Sequence, residues 1–357
     1  MRGRLQSQLG SRADQAVLRV MERLWLTGGR PQTDVDATER REALRLYGEP
    51  APVRDARSFF AEPPAPQVDV RHRARLKRGR REQLCWDSGY RTWDRHYQAE
   101  YDGYGRNRTA WAEAWRHEGF GRRTIVCVNA WMTGSFALQR RLYTARRLYE
   151  SGLDVVLFML PFHGPRNPAG SRFGGQLFPG TSPRRTNEAF GQTIWDLRSL
   201  LAWLQAEGSG PVGVMGMSLG GYTAAVAASV EPRLDFAVAM IPLVSVADLL
   251  WTHGAKNPLR QEAEANGFTL EVLRSLYSAH SPLELEPVLP RERLMLVAGQ
   301  GDRICPPDHV EKLRAHWKGS RVHWFDGSHI LHFGRRQLFN EVLDFVEGLP
   351  ARPETTP

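Results

Sequence analysis

The sequence predicts an α/β protein built on a doubly wound, mostly parallel sheet. From Thr124 onward, short apolar stretches alternate with stretches of helical period, which is typical of strands joined by crossover helices. At the centre of this region, residues 211–229 are arranged as an apolar strand, an abrupt turn and an Ala-rich helix. Polar residues follow three of the predicted strands. Because the carboxyl ends of parallel strands meet at one edge of a sheet, we expect these residues to lie close together.

The individual elements follow from periodicity. Apolar runs predict strands, and the spacing of apolar residues in the segments between them predicts helices. Residues 68–93 have a strand pattern, and within 68–77 apolar and charged side chains alternate, which predicts an outer strand with a charged solvent face rather than a basic binding strip. Trp111 and Trp115 lie four residues apart, and we expect a helix over 107–118. Later strands are expected over 124–129, 154–160, 236–241, 293–298 and 322–325, and later helices over 136–151, 187–207 and 335–347.

Residues 1–67 are expected to form a separate N-terminal arm. Helices are predicted over 13–26 and 37–47, and prolines between 49 and 67 indicate a connector. The arm carries no chemically informative motif, so we expect it to pack on the main domain or to mediate a homo-oligomer. The main domain is expected over 68–350, with a helical insertion at 258–277 inside a cap of about 250–285. Residues 351–357 are expected to be a disordered tail.

Composition excludes several classes of protein. The chain has 357 residues, of which 41% are hydrophobic and 24% charged, so it can form a real core. No stretch is long and apolar enough for a membrane span, and the start of the chain lacks the apolar core of a secretory signal. Three distant cysteines indicate a reducing cytoplasm and no structural zinc. The net charge of +9 comes with no nucleic-acid-binding motif, so a nucleic-acid partner is not expected.

The turn Gly216-Met-Ser218-Leu-Gly220 has the form G-x-S-x-G. In a strand–turn–helix context, this pattern places a serine hydroxyl on a strained turn at the edge of a sheet. The glycines are needed because a Cβ at either position would collide with neighbouring backbone. The helix that follows directs its first N–H groups at the position where negative charge would develop. Ser218 is therefore the candidate nucleophile.

A serine nucleophile needs a base, and the base needs a group that orients it. Asp302, in a Gly-bounded turn after an apolar strand, is the candidate acid, and His329, after the next strand, is the candidate base. The order Ser, acid, His along the chain fits this kind of site. His332 is an alternative base and Asp248 an alternative acid, and both alternatives stay open at this point.

The remaining site residues come from neighbouring loops. Two backbone N–H groups are needed to stabilise an oxyanion, and we expect them from Leu219 and from Trp131, with Met132 next. His163 is expected at the rim of the pocket, and Arg166 is a candidate ligand for a substrate carboxylate or phosphate. The apolar residues close to the site predict an acyl or alcohol pocket. The candidate substrate-binding residues are Met132, Phe162, His163, Met217 and Trp251.

Residues 122–348 resemble the α/β-hydrolase superfamily. The segments 158–168 and 213–221 are similar to a branch called α/β hydrolase domain-containing proteins, near dienelactone hydrolases and prolyl-oligopeptidase-like esterases. This resemblance implies an eight-stranded sheet and a triad of Ser218, Asp302 and His329. Many members have His-Gly before the oxyanion loop, whereas this chain has Asn129-Ala130. That departure puts the loop geometry, and with it the donor role of Trp131, in question.

Together these features predict a cytoplasmic serine hydrolase that cleaves a carboxylic ester or a related small acyl compound without a cofactor or metal. The alternatives are a peptidase, thioesterase or acyltransferase that uses the same site. A catalytically silent scaffold with the same fold is a third kind of protein that the sequence allows.

Overall fold

The computed structural model describes residues 2–27, 42–48, 56–180, 182–253, 260, 264 and 267–350. Its strands are β1 (Asp69–Leu76), β2 (Gly79–Asp87), β3 (Thr109–His117), β4 (Thr124–Val128), β5 (Asp154–Met159), β6 (Val212–Met217), β7 (Ala237–Met240), β8 (Leu294–Gly299) and β9 (Arg321–Phe325). All of them belong to one sheet, in the order β1-β2-β3-β5-β4-β6-β7-β8-β9.

The described helices connect these strands. They are α1 (Arg2–Thr27), α2 (Ala56–Phe59), α3 (Gln98–Asp102), α4 (Phe136–Leu142), α5 (Ala145–Glu150), α6 (Pro183–Ala206), α7 (Leu219–Val230), α8 (Val246–His253), α9 (Leu270–Leu276), α10 (Pro307–His316) and α11 (Arg335–Glu347). Among the described residues, no helix is long and apolar enough to cross a membrane.

The sheet has an antiparallel part and a parallel part. The pairs β1–β2, β2–β3 and β3–β5 are antiparallel, and every pair from β5 through β4 to β9 is parallel. The chain runs from β4 to β5 on one side and then crosses to β6 on the other side of β4. This reversal makes the carboxyl ends of β4 and β6 a topological switch point, where open α/β sheets bind their ligands.

Both faces of the parallel part are covered, and its strands β4 to β8 are buried along their whole length. On one face, α6 and α7 pack on the sheet through residues such as Leu197 and Val226. On the other face, α5 and α11 pack through residues such as Leu148 and Phe339. The predicted doubly wound α/β sheet is confirmed.

Two predicted features of the sheet differ from the structure. The sheet has nine described strands rather than eight, because β1 and β2 form a hairpin that extends the antiparallel edge. Residues 109–117 form strand β3, so the helix predicted over 107–118 is wrong. Spacing by four, as in Trp111 and Trp115, fits a strand as well as a helix. Ala110, Ala112 and Ala114 are fully buried with a period of two, which is the strand signal.

Other expectations fare variously. The charged outer strand is confirmed, since β1 is an edge strand and mostly exposed. The helix expected over 136–151 is two helices, α4 and α5, which are separated by Thr144 at a φ of 46°.

The first helix of the arm is longer than expected, Arg2–Thr27. Of the second helix, only 42–48 is described, with a π-helical turn at Leu44–Gly48. Within the insertion expected at 258–277, residues 258, 259, 261–263, 265 and 266 lie outside the described residues. The expected tail, 351–357, also lies outside them.

Four histidines are held neutral inside the fold. Burial is the main cause, and it lowers the pKa to about 4 for His163, His309 and His332 and to about 3 for His280. His309 illustrates the constraint, because its Nδ1 accepts a hydrogen bond from the backbone N–H of Val244 at 3.3 Å. His280 stacks on Phe190 at 4.0 Å between ring centroids and shares a hydrogen bond of 2.6 Å with the hydroxyl of Tyr222.

The lowered pKa values of these four histidines predict that the protein loses stability in mild acid. An unfolded histidine binds its proton near pH 6.5, whereas these four bind theirs only near pH 4 or below. Their contribution is therefore complete above pH 6.5 and is lost as the pH falls towards 4, at about 1.4 kcal/mol per pH unit for each group. Urea unfolding between pH 7 and 4.5 measures this slope. His280→Phe should reduce the slope by one group's share. A slope in His280→Phe equal to that of the wild-type protein would contradict the assignment.

Candidate active site

The site is organised around the turn between β6 and α7. Ser218 occupies this turn with a φ of 56° and a ψ of −115°, a conformation that non-glycine residues rarely adopt. The two glycines of the motif are needed for steric reasons. A Cβ on Gly216 would lie 1.9 Å from the carbonyl oxygen of Gly220, and a Cβ on Gly220 would lie 2.2 Å from that of Val128. The predicted strained turn is present.

Hydrogen bonds fix this turn to its neighbours. The backbone N–H of Ser218 donates to the carbonyl of Met240 at 3.0 Å. The hydroxyl of Tyr143 accepts from the backbone N–H of Met217 at 2.9 Å and donates to the carbonyl of Val128. Tyr143 therefore connects the end of β6 to the end of β4, on both sides of the switch point.

Asp302 and His329 meet in the structure. Nδ1 of His329 lies 2.8 Å from Oδ2 of Asp302, and both side chains are buried. The other carboxylate oxygen accepts from the backbone N–H groups of Ile304 and Cys305, at 2.9 and 2.8 Å. Burial lowers the pKa of His329, but the Asp302 carboxylate outweighs it and holds this pKa well above its ordinary value. The pair therefore favours an imidazole that carries its proton on Nδ1.

Cys305 lies three residues after Asp302, and its thiol is buried. Burial raises the pKa of this thiol, while the side chains of His329 and Ser218 lower it. Both side chains therefore act on the same thiol, which indicates that Ser218 and His329 lie near each other at the sheet edge.

The two alternatives have other partners. Nε2 of His332 lies 3.0 Å from the carbonyl oxygen of His329. Since the carbonyl can only accept, His332 donates this hydrogen bond and supports the backbone of His329. Asp248 accepts from Arg274 at 2.8 Å and from Lys312 at 2.5 Å. His332 therefore does not pair with a candidate acid in these contacts, and Asp248 does not pair with a candidate base.

The loop after β4 is shaped by Asn129. Its side chain accepts from the backbone N–H of Leu160 at 2.7 Å and donates to the carbonyl of Ala130 at 2.9 Å. The Asn129-Ala130 sequence therefore holds the loop through its own hydrogen bonds. Trp131 follows in a turn, and its indole N–H donates to the carbonyl of Gly175 at 2.8 Å. Leu219 is the first residue of α7, where backbone N–H groups have no intrahelical acceptor.

The predicted substrate-binding residues differ in exposure. Met132 is 38% exposed, with a φ of 63°. Trp251 is half-buried and lies beneath the guanidinium of Arg260, 3.9 Å from the ring centroid. Phe162, His163 and Met217 are buried in the protein interior. A substrate could reach these three residues only after the surrounding structure moved.

Arg166 is not available to a ligand. Its side chain has no accessible surface and forms an ion pair of 2.8 Å with Asp196, which is equally buried. It also donates to the carbonyl groups of Asn107, at 2.9 Å, and of Met159, at 3.2 Å. Arg166 therefore connects β5 to α6, and the interpretation of this residue as a substrate ligand is wrong.

Sequence reasoning missed Tyr143 and Cys305. Tyr143 gives no signal, because a lone tyrosine in the middle of the helix predicted over 136–151 is ordinary. Cys305 lies three residues after the candidate acid, and this proximity could have suggested it. Among the residues that the structure describes, no three His, Cys, Asp or Glu side chains are grouped so that they could hold a metal ion.

The strand order and the strained turn between β6 and α7 define an α/β-hydrolase fold, in which Asp302 and His329 are paired. The chain belongs to the α/β-hydrolase superfamily and, within it, to the same family as the uncharacterized protein Rv2627c of Mycobacterium tuberculosis (strain ATCC 25618 / H37Rv). The two are 31% identical over 323 residues, which are 87% of this chain and 75% of that protein. The model of the family described as Alpha/beta hydrolase domain containing 18 matches residues 113–258.

Solved structures share the fold at low sequence identity. Acetyl xylan esterase 1 from Thermoanaerobacterium sp. JW/SL YS485 is similar with a TM-score of 0.61 and 16% identity, over 87% of this chain and 98% of that one. An acetyl xylan esterase from Paenibacillus sp. R4 is similar with a TM-score of 0.60 and 15% identity, over 87% and 99% of the two chains.

The serine turn predicts a selective sensitivity to small substitutions. Gly216→Ala and Gly220→Ala each place a methyl group against backbone that cannot move aside, so each should lower the free energy of unfolding by about 1–3 kcal/mol or more. Gly105→Ala is the matched control, since nothing lies within 4 Å of its Cβ position. Urea unfolding measures all three variants. Losses of equal size at the three positions would show that the turn has no special steric requirement.

Proposed function

We propose that the protein is a serine hydrolase that cleaves a carboxylic ester or a related small acyl compound through an acyl-enzyme. Membership of the superfamily supports hydrolase chemistry in general. The observation that carries the finer proposal is the 2.8 Å contact between His329 and Asp302, beside a serine on a strained turn. No cofactor enters the proposed reaction.

In the proposed first step, Nε2 of His329 removes the proton of the Ser218 hydroxyl while the serine oxygen attacks the acyl carbon. The Nδ1–H of His329 donates to Asp302, which keeps Nε2 free to accept and stabilises the imidazolium that forms. The imidazolium then protonates the leaving alcohol as the ester bond breaks. Water adds to the acyl-enzyme by the same route, and the acid product leaves with Ser218 restored.

The oxyanion of each tetrahedral intermediate needs donors that are already in place. We assign the backbone N–H of Leu219 as one donor, because it begins α7 directly after the nucleophile. The backbone N–H of Trp131 is the second donor in this proposal. Tyr143 supports this assignment, because it connects the end of β4 to the serine turn, and Asn129 fixes the start of the loop after β4 to Leu160.

The proposed acyl pocket opens beside the loop after β4. Met132 is the exposed apolar residue there, and Trp131 packs edge-to-face against Phe173 at 5.8 Å between centroids. Phe162 and Met217 lie behind this surface rather than on it. These features favour a small apolar acyl group, so short p-nitrophenyl esters are the first substrates to test.

Labelling by a fluorophosphonate probe tests the proposal, because such probes modify a serine that a base and an oxyanion hole activate. The wild-type protein should be labelled, and Ser218→Ala and His329→Ala should not. Ester hydrolysis should fall on the order of 10⁶-fold in Ser218→Ala. Ser209→Ala, just before β6 at the opposite end of that strand, and His96→Ala, at an exposed position, are matched controls that should label normally. Folded wild-type protein that takes up no label would refute the proposed function.

The pH profile gives a second test. Activity requires neutral His329, and Asp302 raises the pKa of this imidazole. kcat/KM should therefore rise with pH as His329 loses its proton. In Asp302→Asn, the residual activity should reach its plateau at lower pH, because the charge that stabilises the imidazolium is gone. If the midpoint of the pH profile of kcat/KM is the same in Asp302→Asn as in the wild-type protein, a group other than His329 controls the profile.

A further inference from the structure

Asp14 of helix α1 contacts two distant loops at once. We call them the Asp302 loop (residues 300–306) and the His329 loop (residues 327–332). The Asp14 side chain has no accessible surface. Its Oδ2 accepts from the backbone N–H of Arg303 at 2.9 Å and from that of His329 at 3.0 Å. Its Oδ1 accepts from the hydroxyl of Ser328 at 2.8 Å and from the backbone N–H of Ile330 at 3.1 Å.

The chemistry of these contacts requires a carboxylate. Four donors converge on two oxygens, and an ionised carboxylate can accept all of them because it has no donor of its own. An amide of the same size could accept at one oxygen only and would direct its own N–H groups at the remaining donors. At least one buried backbone N–H would then be left unsatisfied, at a cost that exceeds the value of an ordinary hydrogen bond.

The backbone of α1 lies close enough to make this contact. A Cβ on Gly10 would be 2.8 Å from Cβ of Ser328, and a Cβ on Gly301 would be 2.3 Å from the carbonyl oxygen of Ser7. The hydroxyl of Ser11 donates to the carbonyl of Gly301 at 2.7 Å. Gly10 and Asp14 are separated by one helical turn and lie on the same face of α1. The helix is therefore packed directly on both loops.

We propose that Asp14 is a positioning residue of the hydrolytic site, which fixes the His329 loop relative to the Asp302 loop. His329 is then held at three points: its backbone N–H by Asp14, its carbonyl by His332 and its imidazole by Asp302. Oδ2 of Asp14 bonds one residue from each loop, so a relative shift of the loops breaks a hydrogen bond. The consequence for the rate rests on the proposed function, and the contact itself does not.

The size of the expected effect follows from the tolerance of catalytic geometry. A displacement of about 1 Å in a reacting group costs on the order of 10²-fold in rate. Loss of the Asp14 carboxylate should therefore lower kcat, while KM changes little because Asp14 has no contact with solvent or ligand. A residue that only adds stability would leave kcat of the folded protein unchanged.

The test compares Asp14→Asn with two controls in the full-length chain. Ser11→Ala removes one contact between α1 and the Asp302 loop but keeps the carboxylate, and Asp308→Asn makes the same chemical change at an exposed position. The readouts are the fluorophosphonate labelling rate, kcat and KM for p-nitrophenyl acetate, and hydrogen exchange of the backbone amides of residues 303, 329 and 330.

In Asp14→Asn, we expect labelling and kcat to fall on the order of 10²-fold, with faster exchange at those three amides and unchanged protection in β6, β7 and β8. The labelling rate and kcat of Ser11→Ala and Asp308→Asn should stay within about threefold of the wild-type values. A labelling rate of Asp14→Asn equal to that of wild type would overturn the positioning role. Failure of the wild-type protein to label would refute the proposed function instead, so the two failures are distinguishable.

A second variant covers the case in which Asp14→Asn does not fold. Ser328→Ala removes one of the four hydrogen bonds to Asp14 and leaves the charge in place. Labelling and kcat should then fall about tenfold, which corresponds to about 1.4 kcal/mol in activation free energy. An unchanged kcat in this folded variant would also overturn the proposal.

Discussion

The close approach of Gly216 to Gly220 is the contact on which the rest of the site depends. It lets the chain turn directly from β6 into α7, and it brings Gly220 against the carbonyl of Val128 at the end of β4. The strained backbone of Ser218 is held because both neighbours of the turn, β4 and β7, are fixed to it by hydrogen bonds. The fold therefore sets the geometry of the serine before any catalytic partner is considered.

Asp302 and His329, the proposed partners of Ser218, are held by buried polar contacts. Asp302 is fixed through two backbone N–H groups of its own loop, and His329 through its backbone and its ring. Buried polar groups with all their partners in place are rigid, since any displacement leaves one of them unsatisfied. This rigidity suits a site whose chemistry requires the imidazole in one orientation.

The sequence predicts the site best where a chemically informative residue directly follows a strand with a clear apolar pattern. The strands from β4 to β9 are short apolar runs, and the strand-end positions of Asp302 and His329 follow from them. Strand β3 is difficult to predict because the spacing of Trp111 and Trp115 fits both a helix and a strand, and because alternating alanines are a weak strand signal. Asp14 could not be predicted, because its partner Arg303 is 289 residues away and an aspartate inside a helix has no distinctive local pattern. Long-range hydrogen bonds are set by the folded topology, which local patterns do not encode.

The position of α1 has a consequence for how the chain is made. The ribosome synthesises α1 before any strand of the sheet, but its contacts lie on the loops that follow β8 and β9, the last two strands. The strands from β4 to β7 can pair as they emerge, since their connections are local, whereas α1 must wait for residues 300–330 before it can dock. A helix that is made before the sheet therefore docks only after the last two strands and their loops have emerged.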